Sequence, residues 1–453
     1  MSTPEATEVL SLSSDLADFA SGLRWQDIPA PAQLAARRTV ANVVGLAINA
    51  CRHEAVEAAL SALHDLGMRG KFCVLGRSDR LAIASAAFVN GVSMHVEDFD
   101  DTHLRTVVHP GAPIVPAAFA VAELTGRDGA EVLAAITAGV EVACRVGIGL
   151  GAGHFDIGWH LTGTMGHLGA AAAAGRLLRL DADRMRDALA IAATQASGHT
   201  EQLGTMSKPM HPGKAAADGV EAALLAAAGI GGPQRPIEGR RGLGALMAPA
   251  PNLALALDNL GTTWEIEENA FKPYSCGIVS HPVIDAAIGF RGLIADPDTI
   301  EAVEIVVRPV VLDVMGIKEP DTGLRSKFSV FHCFAVGFVD GEAGPAQYSD
   351  ARATDATIVR LRQKIRATTD PSMPKDACRV TVRTTDGVSH HIDIDHASGS
   401  RDRPLTNEQL RAKFESLVRP VLGNRTEDAW ERTWRLDESD GVHAVFRASQ
   451  PLA

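Results

Sequence analysis

The chain has 453 residues, more than a single hydrophobic core usually supports, so its length predicts two domains. Its 43 basic and 55 acidic residues give a formal net charge of -12, which argues against a nucleic-acid binder. The apolar share is 46% and the aromatic share only 5%, which favours closely packed helices over a β sandwich.

The cysteines and the N-terminus indicate a cytoplasmic protein. The N-terminal stretch is acidic and lacks the basic-then-apolar order of a signal peptide. The longest apolar runs, such as GAAAAAGRLL, are interrupted too early for a membrane span, so no membrane partner is expected. Six cysteines show no CxxC spacing and are predicted to be reduced core residues: Cys51, Cys73, Cys144, Cys276, Cys333 and Cys378.

Apolar residues at helical spacing dominate the first half of the chain and predict an antiparallel helical bundle. One short segment, KFCVLG, reads as a strand, and Asp181 is a plausible N-cap. The helices are predicted at 8–23, 31–51, 54–66, 80–95, 111–125, 129–148, 167–179, 183–197 and 214–229.

The pattern changes near residue 265. EAVEIVVRPV and the segment around Asp386-Gly387 alternate as strands and a hairpin do, and the chain returns to helix at a Thr406–Gln409 capping box. The predicted fold class is therefore mainly α, with a large all-helical domain and a smaller α+β lid domain. The helical domain is predicted to be discontinuous, 1–265 with 403–453, and the lid to cover 266–402.

The stretch from Met94 to Pro116 concentrates titratable side chains between two apolar runs. Burying such groups is unfavourable unless they are paired, and sites that need shifted pKa values accept it. A solvated helix–helix connection is the alternative interpretation. The residues in question are Asp98, Asp100, Asp101, His103, Arg105 and His109.

Four polar connections, at 98–110, 154–167, 199–214 and 271–281, could meet at one end of the bundle beneath the smaller domain. Lysines and protonated imidazoles gathered there would suit a substrate with two or three carboxylates, and a His or Asp could accept a proton from the carbon beside one of them. No metal need be invoked. The residues brought together would be Asp98, His109, His160, Lys208, His211, Lys272 and His281.

Each of these residues also has a structural interpretation. His109 could cap the helix that follows, His160 could be a satisfied core histidine, and Lys208 and Lys272 each precede proline as exposed turn residues do. Cys276 could be a nucleophile, but a buried thiol is favoured because no Cys–His spacing supports it.

Three other motifs are rejected. The GxGxG run after residue 148 follows a helix rather than a strand, so a dinucleotide site is not predicted. Gly213-Lys214 lacks the upstream glycine of a phosphate loop. His390, His391 and His396 invite a zinc site, but strand alternation separates the first two, and a solvated hairpin is favoured.

Five motifs in order resemble the MmgE/PrpD family: VNGVSMHVEDFDDTH with HPGAPIVPA, GWHLTGTMGHLGAAAAAGRLL, TMSKPMHPGKAAADGV, FKPYSCGIVSHPVIDA and DTGLRSKFS. The family includes 2-methylcitrate dehydratases, cis-aconitate decarboxylases and an iminodisuccinate epimerase. The resemblance implies a large helical domain, a smaller lid, an active site between them, a homodimer, and catalysis without an organic cofactor.

By similarity to the decarboxylase branch, the matching positions are Asp98, Thr102, His109, His160, Lys208 and Lys272. The chain departs from that branch at two places. Gly277 stands where the branch has a histidine, and the lid tyrosine is absent because the only tyrosines are Tyr274 and Tyr348. His281 is predicted to supply the missing imidazole. The predicted catalytic residues are Asp98, His109, His160, Lys208 and Lys272, and the predicted substrate-binding residues are Thr102, His103, His211, Cys276 and His281.

These observations lead to the hypothesis of a cofactor-independent lyase or isomerase of small di- or tricarboxylates, with dehydration of a 2-methylcitrate-like acid as the leading reaction. An epimerase of an amino- or imino-dicarboxylate would use the same proton abstraction, and an aconitate-type decarboxylase is a further alternative. A rival of another class is a non-catalytic dimeric scaffold.

Overall fold

The computed structural model describes residues 11–439 and 441–451. The first half is a helical bundle, as predicted, with most helix bounds within a few residues of the expected ones. Residues 8–10 of the first predicted helix lie outside the described residues. The long helices here are Leu12–Gly22, Ala30–Asn49, Glu54–Asp65, Ile83–His95, Gly111–Thr125, Gly129–Leu150, Leu161–Leu177, Ala182–Gln195 and Met210–Ala227.

Local signals explain several helix ends. Pro31 occupies the first turn of its helix, where its missing N–H is not needed. The Asp181 carboxylate caps the helix Ala182–Gln195 by accepting a hydrogen bond from the Arg184 N–H. The left-handed residue Gly67 follows the helix Glu54–Asp65.

The helix Leu161–Leu177 begins six residues before the predicted start at 167, within the glycine-rich stretch predicted as a polar connection. Those glycines allow close packing instead. A Cβ on Gly163 would lie 2.5 Å from the Ser197 carbonyl oxygen, and a Cβ on Gly169 would lie 2.8 Å from that of Gly139. The helix Met210–Ala227 likewise begins four residues before its predicted start at 214. Tertiary packing outweighs weak helix propensity here.

The helix Gly129–Leu150 corrects the expectation that no apolar run is long enough for a membrane span. It is long and apolar enough by length and composition, but 94% of its apolar window is buried inside the protein. This burial is typical of the core helix of a soluble protein. The helix Ile83–His95 also differs from the prediction, because residues Arg80–Leu81 form a strand with Arg69–Cys73 rather than a first helical turn.

The later part of the chain contains a four-stranded sheet, and the predicted strand and hairpin are confirmed. Ile300–Val307 pairs in parallel with Ile365–Thr369 and antiparallel with Cys378–Thr384, which pairs with Ser389–Ile394. The longer helices around this sheet are His281–Phe290, Pro309–Met315, Val330–Asp340 and Ala356–Gln363, and shorter ones are Gly323–Ser326 and Asp350–Ala353.

The chain ends in the helices Asn407–Leu422, Thr426–Trp434 and His443–Ser449, the first opened by the predicted Thr406–Gln409 capping box. Asn407–Leu422 packs against Ala30–Asn49. One large core joins residues 12–266 with 414–448, and another joins residues 276–394. The mainly α fold is confirmed, and the assignment of a lid stays a prediction. So do the domain limits.

Candidate active site

A short strand pair brings two distant parts of the chain together. Asp101–His103 runs antiparallel to Asn269–Phe271, with Thr102 opposite Ala270. All six residues are buried. Because Asp98 lies just before one strand and Lys272 just after the other, the pairing places their side chains side by side.

Asp98 is the centre of this arrangement. It is buried and has a left-handed backbone (φ 51°), a conformation that concentrates at functional sites. Its carboxylate accepts a hydrogen bond from the Lys208 ammonium group. The Lys272 Nζ lies 3.3 Å from the same carboxylate oxygen and donates to the Asp98 carbonyl at 2.9 Å. Burial alone would raise the pKa of Asp98, but the two lysines hold it well below its ordinary value.

Three histidine rings lie beside this ion cluster: those of His95 and His160 are buried, and the His109 side chain is 12% exposed. The ring centroid of His95 lies 5.0 Å from that of His109 and 6.1 Å from that of His160. Burial lowers the pKa of all three well below the ordinary value, and Lys208 lowers those of His95 and His160 further. The imidazoles are therefore neutral at neutral pH, not protonated as the sequence suggested, and the positive charge of the site comes from its lysines.

Hydrogen bonds fix which ring nitrogens are free. His109 Nδ1 donates to the Asp101 carbonyl at 2.9 Å, which leaves Nε2 as the basic nitrogen of the neutral ring. His95 Nδ1 lies 2.7 Å from the Asp100 carboxylate, and its Nε2 is buried with no hydrogen-bond partner among the described residues. Burial raises the pKa of Asp100. His160 Nδ1 lies 2.9 Å from His211 Nδ1, so one of these rings donates to the other.

His95, Asp100 and His109 each offer an atom within 4.8 Å of the others, close enough to hold a metal ion. A His–Asp hydrogen bond accounts for part of this closeness. A second such group, Asp376 with His396 and Asp402, lies at the surface, where His396 is half exposed and bonded to Asp376.

The helix Asn407–Leu422 supports the site through Lys413, which is not among the predicted site residues. Its buried ammonium group donates to the carbonyls of Phe99 at 2.6 Å and Lys272 at 2.9 Å, and to the Asn42 side chain at 2.8 Å. It thereby ties together the backbones that carry Asp98 and Lys272. Burial lowers its pKa well below the ordinary value.

A cavity of about 460 Å³ opens onto the ion cluster. It lies between the helical bundle and the sheet-containing part of the chain, since residues of both line it. A neighbouring cavity of about 420 Å³ shares Asp98 and Lys208 with it and is lined by His95 and the ion pair of Glu97 with Lys327. The predicted site residues that line the larger cavity are Asp98, Thr102, His109, His160, Lys208 and Lys272.

The remaining predicted site residues lie behind this cavity. His103 bonds Thr106 at 2.7 Å and Glu265 at 3.1 Å, so both of its ring nitrogens are occupied. His211 supports His160 from outside the lining. Cys276 and His281 lie buried beside each other, with the Cys276 thiol 3.4 Å from the Ser280 hydroxyl, and neither lines either cavity. The structure thus brings six of the ten predicted residues to the larger cavity.

His95 and Asp100 were missed as site residues although both lie in or beside the acidic stretch. The available signal was the spacing His-x-x-Asp-x-Asp at the end of an apolar helix, which directs several polar side chains from one helix terminus into one place.

Asp101, which supports this site, should make the stability of the folded protein depend on pH. Burial and the charge of Asp100 raise its pKa to about 7, from an ordinary value near 3.8. The folded state then keeps a proton that the unfolded chain releases, so stability falls as pH rises from about 4 to about 7. Asparagine mimics the protonated acid. We expect the advantage of Asp101→Asn over wild type in urea unfolding to grow by roughly 2–3 kcal/mol between pH 5 and pH 8.

The matched control is Asp321→Asn, since the Asp321 side chain is 69% exposed. An advantage of Asp101→Asn that stays constant between the two pH values would contradict the assignment of a proton to buried Asp101.

The mainly helical fold and a buried site of lysines and imidazoles are typical of an acid–base enzyme. Residues 14–256 match the MmgE/PrpD N-terminal domain, and residues 274–436 match the MmgE/PrpD C-terminal domain. The chain belongs to the MmgE/PrpD family.

Relatives are named cis-aconitate decarboxylases. The mouse (Mus musculus) protein is 30% identical over 373 residues, covering 77% of this chain and 75% of its own. The human (Homo sapiens) protein is 29% identical over 366 residues, covering 77% and 76%. The Aspergillus terreus protein is 26% identical over 442 residues, covering 90% of each chain. Because decarboxylases are lyases, these relatives support a lyase-type activity for this chain.

Proposed function

We propose that this protein is a lyase that removes a proton from the carbon next to a carboxylate of a small di- or tricarboxylate, and that its leading reaction is dehydration of a 2-methylcitrate-like acid. The observation that carries the proposal is the ion cluster of Asp98, Lys208 and Lys272 at the cavity, flanked by neutral imidazoles.

The lysines supply the charge that this chemistry needs. Removing a proton next to a carboxylate adds negative charge to a group that is already anionic, which makes the step slow in water. Ammonium groups held in a buried site stabilise that charge more strongly than solvent does, because they are already oriented towards it. Asp98 offsets one lysine and fixes the positions of both, so the pair keeps one net positive charge for the substrate.

The imidazoles handle the protons in the proposed dehydration. His109 accepts the carbon-bound proton on Nε2, because its Nδ1 is committed to the Asp101 carbonyl. Carboxylates of the bound substrate raise the proton affinity of nearby imidazoles, so His160 holds a proton in the complex. As the C–O bond breaks, the hydroxyl leaves with the His160 proton as water, and a carbon–carbon double bond forms. His211 is hydrogen-bonded to His160 and is only partly buried, so it connects this acid to solvent.

Decarboxylation of cis-aconitate is the second candidate, favoured by the 30% identity to the mouse decarboxylase and by the lining of the cavity by all six matching positions. It is placed second because Gly277 stands where that branch has a histidine. A Cβ at this position would lie 2.4 Å from the Met315 sulfur, so Met315 occupies the space that a histidine would need.

We also propose that the enzyme needs no organic cofactor, lies in a reducing compartment and forms a homodimer. The proton chemistry described uses protein side chains only, without an organic cofactor. Six free, buried cysteines support a reducing compartment such as the cytoplasm. The family resemblance supports a homodimer, which light scattering of the purified protein would test.

Product analysis tests the proposed reaction. We expect the enzyme to convert a 2-methylcitrate-like acid into its unsaturated, dehydrated product, observed by NMR as loss of the signal of the carbon-bound hydrogen that is removed. Release of carbon dioxide from cis-aconitate would favour the second candidate. Inversion of configuration without elimination would favour an epimerase, and the absence of any conversion across the acids would favour the non-catalytic scaffold.

A further inference from the structure

Part of the lining of the larger cavity is apolar. We call six of its apolar side chains the apolar wall: Ile148, Phe155, Leu161, Val310, Val314 and Phe328. The first three come from the helical bundle and the last three from the sheet-containing part of the chain. The Phe328 ring centroid lies 5.9 Å from the Lys208 Nζ, so the wall begins beside the ion cluster. Citrate has no apolar group larger than a methylene, and its methylated relatives add only one methyl group, so acids of that type cover little of this wall.

Val107, also in the lining, departs from ordinary surface behaviour. It has a left-handed backbone (φ 56°), which is strained for a β-branched residue, and the residue is 39% exposed. The strained turn holds an isopropyl group at the cavity, where a small polar residue would relieve both the strain and the exposure. An apolar ligand group would give that side chain a partner.

The size of the cavity agrees with a longer ligand. At about 460 Å³ it lies in the range of pockets that enclose drug-sized molecules, whereas a small tricarboxylate would fill only part of it. The decarboxylase branch has a histidine where this chain has Gly277, and its lid tyrosine has no counterpart between residues 310 and 320, where Val310 and Val314 line the cavity. Each departure leaves out a polar ring that the branch has.

From these observations we infer that the preferred substrates are polycarboxylates that carry an aliphatic substituent of several carbons, with the carboxylates at the ion cluster and the alkyl chain along the apolar wall. The inference rests on the proposed function for the reaction, but it concerns binding, which can be measured without turnover.

The experiment is calorimetric titration of the wild-type protein with unreactive succinates bearing methyl, propyl or pentyl groups at the second carbon. We expect Kd to fall about fourfold for each added methylene, until the wall is covered. The binding heat capacity should become more negative along the series, because apolar surface is buried.

Val314→Trp should fill the space at the wall. We expect it to weaken binding of the pentyl acid at least tenfold while changing the Kd of the methyl acid less than twofold. Val310→Phe is a second, smaller filling variant, in case the first lowers stability. Val388→Trp, at an exposed hairpin position, is the matched control and should bind like wild type.

A Kd that does not improve with chain length, or failure of all these acids to bind, would overturn the inference. Tight binding of the pentyl acid without turnover of any hydroxylated counterpart would leave the inference standing and overturn the proposed reaction. Turnover of the methyl acid with no gain from longer chains would do the reverse.

Discussion

Lys208→Ala is expected to lower kcat/KM for dehydration of the 2-methylcitrate-like acid by about 10³-fold or more. The variant removes one of two ammonium groups that stabilise the developing charge, and removal of a single oriented donor from such a site lowers rates by about 10²–10³-fold. It also leaves the buried Asp98 carboxylate with Lys272 alone, so its charge repels the substrate more strongly. Steady-state kinetics on the purified variant measure the effect.

Two further variants separate charge from structure. Lys318→Ala removes an exposed lysine that lines neither cavity and should have wild-type kinetics. Lys208→Arg retains the charge and should recover part of the lost rate. Circular dichroism should show that Lys208→Ala is folded. Wild-type kcat/KM in a folded Lys208→Ala protein would remove Lys208 from the site.

His109→Gln is expected to lower kcat by about 10²–10⁴-fold, the usual range for loss of a general base, with a much smaller change in KM. Glutamine can still donate to the Asp101 carbonyl but cannot accept the proton. His391→Gln, on the exposed face of the strand Ser389–Ile394, is the matched control. Equal losses in both variants, or a change confined to KM, would argue against His109 as the base.

The wild-type pH profile provides a second check on the imidazoles. Because burial holds the pKa of free His109 well below 6.5, kcat/KM should stay high as pH falls through 6.5 and decline only at lower pH. An acid limb centred near 6.5 and lost in His109→Gln would instead indicate an ordinary, solvated histidine.

Much of the site could be predicted from the sequence, because it depends on side chains at the ends of strongly apolar helices. The apolar runs locate the bundle, and the polar connections between them carry Asp98, His160 and Lys208. The family resemblance then selected six positions, and all of them line one cavity.

Other features could not be predicted, for physical reasons. Strands of three residues, such as Asp101–His103 and Asn269–Phe271, are too short to show an alternating pattern, so the pairing that aligns Asp98 with Lys272 was invisible. The position of Lys413 depends on packing of a helix more than 300 residues along the chain from Phe99.

The protonation states of the histidines at the site also could not be predicted from the sequence. The sequence could not show that the imidazoles of His95, His109 and His160 are neutral in the free protein, because an imidazole's charge depends on how completely its surroundings exclude water. A residue count cannot supply that information.

The proposed reaction depends on one event, removal of a proton from the carbon beside a carboxylate. Its most direct test is NMR of wild-type enzyme with a 2-methylcitrate-like acid in deuterated water. We predict that the hydrogen next to the carboxylate is lost, either to solvent exchange or with elimination of water, at a rate proportional to enzyme concentration. A substrate that binds yet keeps all of its carbon-bound hydrogens would contradict the account.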